Sequence, residues 1–385
     1  MIWIARFYLG VIALGWLVAL VKGIRATKKK KWVLERIAKK APASISLSIV
    51  IPARNEERGV GRCLQSARNQ DHENLEIIIL DDASTDQTPE IIAQHASEDK
   101  RIIAIRSDGE PIPDGWYGKP WALQRAQNKA TGEWLLFIDA DVELYPEAAS
   151  RTLEYALENE LDMVTGLGQL EMNSFWEKVL QPAVGALILA GNSLSDVNNP
   201  DKKEKNLANG QFILISREAY DRINRHASVK KNILDDIGIA RAVVAADRDY
   251  HCLYLDQMFQ CRMYTTFTEI WEGWTKNIFA GLRYSIPNVI LALLFTFSFS
   301  ILGHVLFFLG AIKWVPLEML IWGGVIVLLV QATRMLMDVR RGMNVFYGLT
   351  HAFASTIVLG IILNSMVKSL QGTVTWKGRT YKPSE

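Results

Sequence analysis

Phe137-Ile138-Asp139-Ala140-Asp141-Val142-Glu143-Leu144 is an apolar strand that runs directly into two carboxylates spaced i, i+2. Alternate side chains of an extended backbone share a face, so Asp139 and Asp141 can converge on one divalent cation or on a metal-bound phosphate. Taken alone, an Asp-x-Asp pair reads as readily as a strand leaving the core with two solvated acids. The surrounding sequence decides between these readings.

Upstream, Ile45 to Ala53 is a β-branched run suited to a buried parallel strand, and Asn55-Glu56-Glu57 has the composition of a helix start, with a helix expected through Asn69. Leu75 to Leu80 reads as a second strand and ends in Asp81-Asp82-Ala83-Ser84-Thr85-Asp86, after which Thr88-Pro89-Glu90 opens a helix. Arg101 to Arg106 reads as a third strand. A Gly- and Pro-rich loop from Ser107 to Gly118 leads into a helix over 120–130, and Thr131-Gly132 turns into the strand 133–139. Strand and helix alternating at this spacing predict an α/β domain with a Rossmann-like, mainly parallel sheet and helices on both faces. Such sheets bind ligands beyond the carboxyl ends of their strands. That edge would carry Pro52, Arg54, Asp82, Lys119, Asp139 and Asp141, acids mixed with bases as a metal and diphosphate site requires. No Gly-x-Gly-x-x-Gly or Gly-x-x-x-x-Gly-Lys-Ser/Thr stretch is present, which leaves a dinucleotide fold and a P-loop unsupported.

The 385 residues carry a formal net charge of +2, with an apolar share of 49% that is unevenly distributed. Residues 2–21 are apolar except for Arg6, and 286–312 contain no Asp, Glu, Lys or Arg. Two further apolar runs follow, 314–333 with Glu318 near its start and 342–367 with no formal charge. About 20 apolar residues span a bilayer core. The expected organisation is therefore a transmembrane anchor over 1–24, a basic linker over 25–43, a catalytic domain over 44–285, a membrane region of three hydrophobic segments over 286–367, and a basic tail over 368–385. Lys22, Arg25, Lys28, Lys29, Lys30, Lys31, Arg36, Lys39 and Lys40 face only Glu35, which by the positive-inside rule puts this flank, and the domain after it, in the cytoplasm of a multi-pass cell-membrane protein. Beside a membrane span such a run contacts anionic headgroups rather than a nucleic acid polymer. A cleaved signal peptide is disfavoured by the nearly uncharged start and the lack of a small-x-small site.

Topology is open at this level. Four crossings would put the C-terminus outside, whereas the basic tail from Lys368 to Lys382 favours the inside; 342–367, with His351, Ser355, Thr356, Asn364 and Ser365, is the polar candidate for a re-entrant segment. Phe175 to Ala190 is also apolar enough to be taken for a span, but crossing there would part the acids at 139–141 from those at 235–236. It is expected to pack on the domain or lie in the lipid interface. Cys63, Cys252 and Cys261 have no metal-ligand spacing and read as reduced, structural thiols.

SIVIPARNEE at 48–57, LDDASTD at 80–86, FIDADVEL at 137–144 and ILDDIGIA at 233–240 occur in an order that resembles the family 2 glycosyltransferases, inverting enzymes that use nucleotide sugars on a GT-A fold. The resemblance covers 44–285. It implies that Pro52, Arg54 and Glu56 hold the nucleotide base, that Asp82 bonds the uracil or ribose, and that Asp139 and Asp141 bind the sugar nucleotide and its Mg²⁺ or Mn²⁺, with Asp141 the direct ligand. It also implies Asp236 as the general base; by itself the pair Asp235-Asp236 reads equally as helix capping. GWYGKPWA at 115–122 and NGQF at 209–212 are similar to a membrane-embedded subgroup that glycosylates carotenoids and other lipids, placing Lys119 on the diphosphate and Gln211 and Asp235 on the acceptor side. Trp271 and Trp274, three apart on an expected helix, read either as core packing or as an aromatic wall for an acceptor from the bilayer. The Gln-x-x-Arg-Trp motif of processive synthases is absent, 269–277 reading EIWEGWTKN, which favours addition of one sugar over polymerisation.

The expected activity is transfer of one hexose, glucose from a UDP-sugar donor, onto a hydroxyl or carboxyl of a lipid acceptor such as a carotenoid or glycolipid. A polyprenyl phosphate or polysaccharide acceptor is the alternative within the class. A nucleotide-sugar-binding membrane scaffold is the non-enzymatic one.

Overall fold

The computed structural model describes residues 2–25, 32–35, 41–107, 109–191 and 193–381. Most of the basic linker, Lys28 to Lys31 with Arg36, Lys39 and Lys40, and the end of the tail, including Lys382, lie outside the described residues. The chain forms two compact units.

One unit comprises residues 31–171, 192–263 and 377–385. Its seven-stranded sheet is built from β1 (Leu47–Ala53), β2 (Leu75–Asp81), β3 (Ile102–Arg106), β4 (Trp134–Phe137), β6 (Met163–Leu167), β8 (Ile213–Ser216) and β9 (Tyr250–Tyr254) in the order β3-β2-β1-β4-β8-β6-β9. β5 (Val142–Leu144), β7 (Gln169–Leu170) and β10 (Phe259–Cys261) form a separate three-stranded sheet. β3, β2, β1 and β4 run parallel, and β8 alone is antiparallel to its neighbours β4 and β6. Both faces are covered, as the unbroken apolar runs require. Ile49, Ile51, Ile77 and Ile79 pack on one side with the helix Val60–Arg68, and Val50, Ile78, Leu80 and Leu135 pack on the other with the helix Gly118–Gln127.

The carboxyl edge of the sheet departs from the expectation at one point. No helix starts at Asn55; it starts at Val60. The N–H groups of Asn55, Glu56 and Glu57 donate instead to Ser84 Oγ, Thr88 Oγ1 and Asp86 Oδ2, while Asn55 Oδ1 accepts from the Thr85 N–H. The polar side chains after β2 outcompete the helical pattern, with Asn55 at φ +50° and Ala83 at φ +53°. β4 ends opposite Val50, so on that side Pro52 has no strand beside it and its missing N–H costs no ladder bond, while on the other side it is in register with Leu80 of β2.

The second unit comprises residues 1–30, 172–191 and 264–376. The contiguous span 44–285 expected for the catalytic domain is thereby divided, because the apolar faces of the helices Phe175–Ala190 and Phe267–Gly281 pack with the helix His351–Leu370. Among the described residues, four helical segments are long and apolar enough to cross a membrane: Trp3–Arg25, Ile286–Ala311, Leu317–Arg340 and Val345–Leu370. The N-terminal helix and Leu317–Arg340 run parallel, with Arg6 bonded to Glu318 at 2.6 Å, Gly10 against Trp322, and Gly23 against Leu336 and Met337. Leu317–Arg340 is antiparallel to the segment before it, where Gly303 meets Ile326 and Gly310 meets Leu320. Pro182 has no N–H to give the Lys178 carbonyl one turn earlier, and Arg334 Nη2 donates to that oxygen at 2.8 Å while its Nε pairs with buried Asp338.

Candidate active site

β1, β2 and β4 end together, and the residues that follow them form one floor. After β1, Arg54 donates from Nη1 to the Asp82 and Ala83 carbonyls at 2.5 and 3.1 Å, tying the first two loops together. Asp81 turns inward and its Oδ1 caps the Ser84 N–H, which fits a turn-forming role. After β4, Asp139 Oδ1 lies 2.5 Å from Lys119 Nζ, which projects from the first turn of the helix Gly118–Gln127. Asp141 occupies the next turn. Its Oδ1 is buried without a hydrogen-bond partner.

The late acidic pair opens the helix Asp235–Ala245. Asp236 accepts hydrogen bonds at Oδ2 from the Gly210 N–H, 2.9 Å, and at Oδ1 from the Ile237 N–H, 2.8 Å, so both oxygens are oriented by backbone. A Cβ at Gly210 would stand 3.1 Å from Lys119 Nζ and 3.6 Å from Asp236 Oδ2. The absence of a side chain there is what lets the lysine and the acid approach the same space. Gln211, in the same loop, donates to Cys261 Sγ at 3.1 Å and accepts from Asn209.

Charge is concentrated to match. Burial disfavours the Lys119 ammonium, but Asp139, Asp235 and Asp236 outweigh it and raise its pKa. Burial and the adjacent Asp235 push Asp236 up to about 6, against the pull of Lys119 and its two amides. Burial and the Asp139 carboxylate also raise Asp141. Glu56 is pushed up to about 7, by burial first, with Lys377 pulling down and Asp141 and Asp139 pushing up. Carboxylates held above their ordinary range, with one oxygen orphaned, are the donor set that a divalent cation relieves. No three-residue cluster of His, Cys, Asp or Glu that could hold a metal is preassembled among the described residues. Two protein carboxylates suit an ion whose remaining ligands come from substrate phosphate and water.

Two participants lie in the C-terminal tail, which the sequence offered only as a basic flank. Arg379 grips both carboxylate oxygens of Asp82, and Lys377 bonds Glu56 and, at 2.9 Å, the Arg54 carbonyl. Tyr381, on the same face of the strand Arg379–Tyr381 as Arg379, meets Tyr117 edge-on at 5.1 Å. Their distance in sequence from every motif hid them, and the alternation of Lys377, Arg379 and Tyr381 was the available signal.

Residues 48–223 match the sequence profile described as Glycosyl transferase family 2. They form a family 2 glycosyltransferase domain. The whole glycosyltransferase is 26% identical over 352 residues to 4,4'-diaponeurosporenoate glycosyltransferase of Staphylococcus aureus strain bovine RF122 / ET3-1, covering 88% of this chain and 89% of that protein. It is 25% identical over 351 residues to the protein of the same name in strain USA300, with the same coverage. Its fold resembles that of mannosyltransferase PcManGT from Pyrobaculum calidifontis, solved in complex with GDP-Man and Mn²⁺, with a TM-score of 0.51 and 14% identity over 94% of this chain and 99% of that one. The mixed α/β, mostly parallel sheet of the glycosyltransferase is a GT-A fold.

The remaining residues singled out in the sequence, Trp271 and Trp274, belong to the other compact unit. Trp271 tilts against Phe267 and touches Gly360, and Trp274 donates to Gln181 Oε1 at 3.0 Å. Both are engaged in packing between helices there.

Proposed function

We propose that this glycosyltransferase moves one hexose, glucose from UDP-glucose, onto a hydroxyl or carboxyl of a lipid such as a carotenoid, with inversion at the anomeric carbon. The observation that carries the reading is Asp236, a single carboxylate aimed by two backbone amides and sharing space with Lys119 across from Asp139 and Asp141. In a single displacement the acceptor hydroxyl oxygen bonds to the anomeric carbon, its proton passes to Asp236, and the carbon–oxygen bond to the diphosphate breaks. The Gly210 and Ile237 amides hold the carboxylate for that proton. Lys119 faces the departing diphosphate, while Pro52, Arg54, Glu56 and Asp82 form the nucleotide end. Asp139 and Asp141 would hold Mg²⁺ or Mn²⁺, which supplies charge neutralisation for the leaving group; PcManGT is in complex with Mn²⁺. Gln211 and Asp235 are assigned to the acceptor side.

The lipid acceptor is supported by the name of the relatives, a diaponeurosporenoate glycosyltransferase, and by the four apolar helices. For topology we infer three crossings with the catalytic unit in the cytoplasm. The parallel packing of the N-terminal helix and Leu317–Arg340 makes both end on one side. Lys377 and Arg379 bond residues of the catalytic unit, so the tail stays on that side too. Val345–Leu370 then starts and finishes on one face and lies in the interface or re-enters.

The test is transfer from UDP-glucose to a hydroxylated lipid by the purified full chain. Asp236→Asn should abolish transfer and leave UDP binding intact. Retained turnover on a hydroxyl acceptor would refute the assignment.

A further inference from the structure

The tail segment Lys377–Tyr381 borders the strand-end floor but has no part in the transfer step itself. It is not laid loosely on the site. Lys377 and Arg54 exchange contacts that do not involve a carboxylate: Lys377 Nζ donates to the Arg54 carbonyl at 2.9 Å, and Arg54 Nε donates to the Lys377 carbonyl at 3.3 Å. Arg379 takes both oxygens of Asp82, and its Nη1 lies where a Cβ on Gly118 would stand, 2.1 Å away. A side chain at 118 would push the guanidinium from this position. Tyr381 against Tyr117 closes the far end.

The charge balance gives this segment a task. Glu56, Asp82, Asp139, Asp141, Asp235 and Asp236 are six acids in one edge; Lys119 pairs with Asp139, and Arg54 spends its Nη1 on the Asp82 and Ala83 carbonyls. A nucleoside diphosphate brings further negative charge to the same place. Lys377 and Arg379 supply two more cations, one at each end of the donor's expected path: Arg379 on Asp82, where the base and ribose would lie, and Lys377 beside Glu56, close enough to Asp141 to stabilise its charge. Arginine in a two-point fork fixes a carboxylate's orientation, and lysine on a flexible stem can follow a phosphate as a point charge.

We propose that the C-terminal segment is a wall of the donor site, in which Arg379 positions Asp82 for the nucleoside and Lys377 contacts the diphosphate. This rests on the nucleotide-sugar reading of the strand ends. It also explains why a short basic tail after the last apolar helix folds with the catalytic unit.

The probe is UDP with Mn²⁺, titrated into the full-length protein in nanodiscs, together with KM for UDP-glucose and for the lipid acceptor. Arg379→Ala and Lys377→Met should each weaken UDP binding by about tenfold or more, as expected for loss of a charge-assisted contact. The acceptor KM should stay unchanged, and Arg379→Lys should recover only part of the loss. Combining Arg379→Ala with Asp82→Ala should cost little beyond either alone, a coupling that a merely structural role for the tail would not produce. Unchanged UDP affinity in both single variants, with an unaltered thermal midpoint, would overturn the proposal. Tighter UDP binding would overturn it equally, by making the segment a competitor of the donor. Asp82→Ala in the same titration separates the two levels. If it too leaves UDP binding intact, the nucleotide reading itself fails; if it alone weakens binding, only the role of the tail fails.

Discussion

Lys119 Nζ lies 2.5 Å from Asp139 Oδ1 and within contact distance of the space above Gly210, where Asp236 also points. One ammonium therefore feels the charge of both Asp139 and Asp236. Lys119→Met should lower kcat/KM for the donor by about a hundredfold, the scale of losing one charged donor to a developing anion. Steady-state kinetics with varied UDP-glucose checks this. A loss confined to the acceptor KM would place the lysine elsewhere in the reaction.

The pH dependence follows from Asp236. Its folded pKa is about 6, raised above the ordinary aspartate value of 3.8, and a base must be ionised to work. With a hydroxyl acceptor, kcat/KM should fall as pH drops through about 6 and level off above it. Lys119 holds that pKa down, so Lys119→Met should move the acid limb to higher pH. For stability the sign is reversed: a carboxyl whose pKa is raised on folding favours the fold at low pH and loses that contribution as pH rises through the folded value. Asp236→Asn should accordingly raise the melting temperature near neutral pH while destroying activity.

The same variant reports on the acceptor. A hydroxyl must lose its proton to Asp236, whereas a carboxylate arrives already ionised. Asp236→Asn should abolish transfer to an alcohol but spare a substantial part of transfer to a carboxylate. Parallel assays on a hydroxylated and a carboxylated lipid read the ratio directly. Equal losses on the two acceptors would mean that Asp236 acts through positioning or charge instead.

Asp141 carries the metal prediction. Its Oδ1 is buried without a partner, and its charge is disfavoured by burial and by Asp139. Asp141→Asn should raise the Mn²⁺ concentration needed for UDP binding by at least about tenfold, the scale of weakening a metal site. The variant should also melt at a higher temperature than the parent without metal. Calorimetry with UDP and graded Mn²⁺ checks the first, and thermal unfolding in EDTA the second. Metal-independent UDP binding in the parent chain would remove the role assigned to this residue.

Among the apolar helices, Arg334 is paired with buried Asp338 and covers the carbonyl exposed by Pro182. Arg334→Met strips both partners at once and should cost roughly 3 kcal/mol, as for other broken buried ion pairs. Adding Asp338→Asn should return part of the loss. Thermal unfolding in detergent measures both. For the topology, a cysteine at Lys313 should react with an impermeant reagent from outside the cell and one at Gln371 should not. Outside labelling at Gln371 would require a fourth crossing.

Much of the floor of the candidate site was readable because it is local. β-branched runs specify buried parallel strands, and a parallel strand delivers whatever follows it to one edge, so Pro52, Arg54, Asp82, Asp139 and Asp141 were legible as neighbours from their positions after apolar runs. The helix expected from Asn55 does not form because the competing partners, Ser84, Asp86 and Thr88, come from another loop. Hydrophobic length alone likewise found the four apolar helices. It could not give their directions, which depend on pairs such as Arg6 with Glu318.

The sequence by itself determined the strand ends, the acids placed on them and the apolar lengths, since each depends on periodicity and composition within a few residues. Only the tertiary structure decided that Asp236 is held by Gly210, that Lys119 stands between two acids, and that Arg379 closes on Asp82 from 297 positions away. Contacts of that kind depend on which side chains a folded chain brings within hydrogen-bond reach, and no local pattern encodes them.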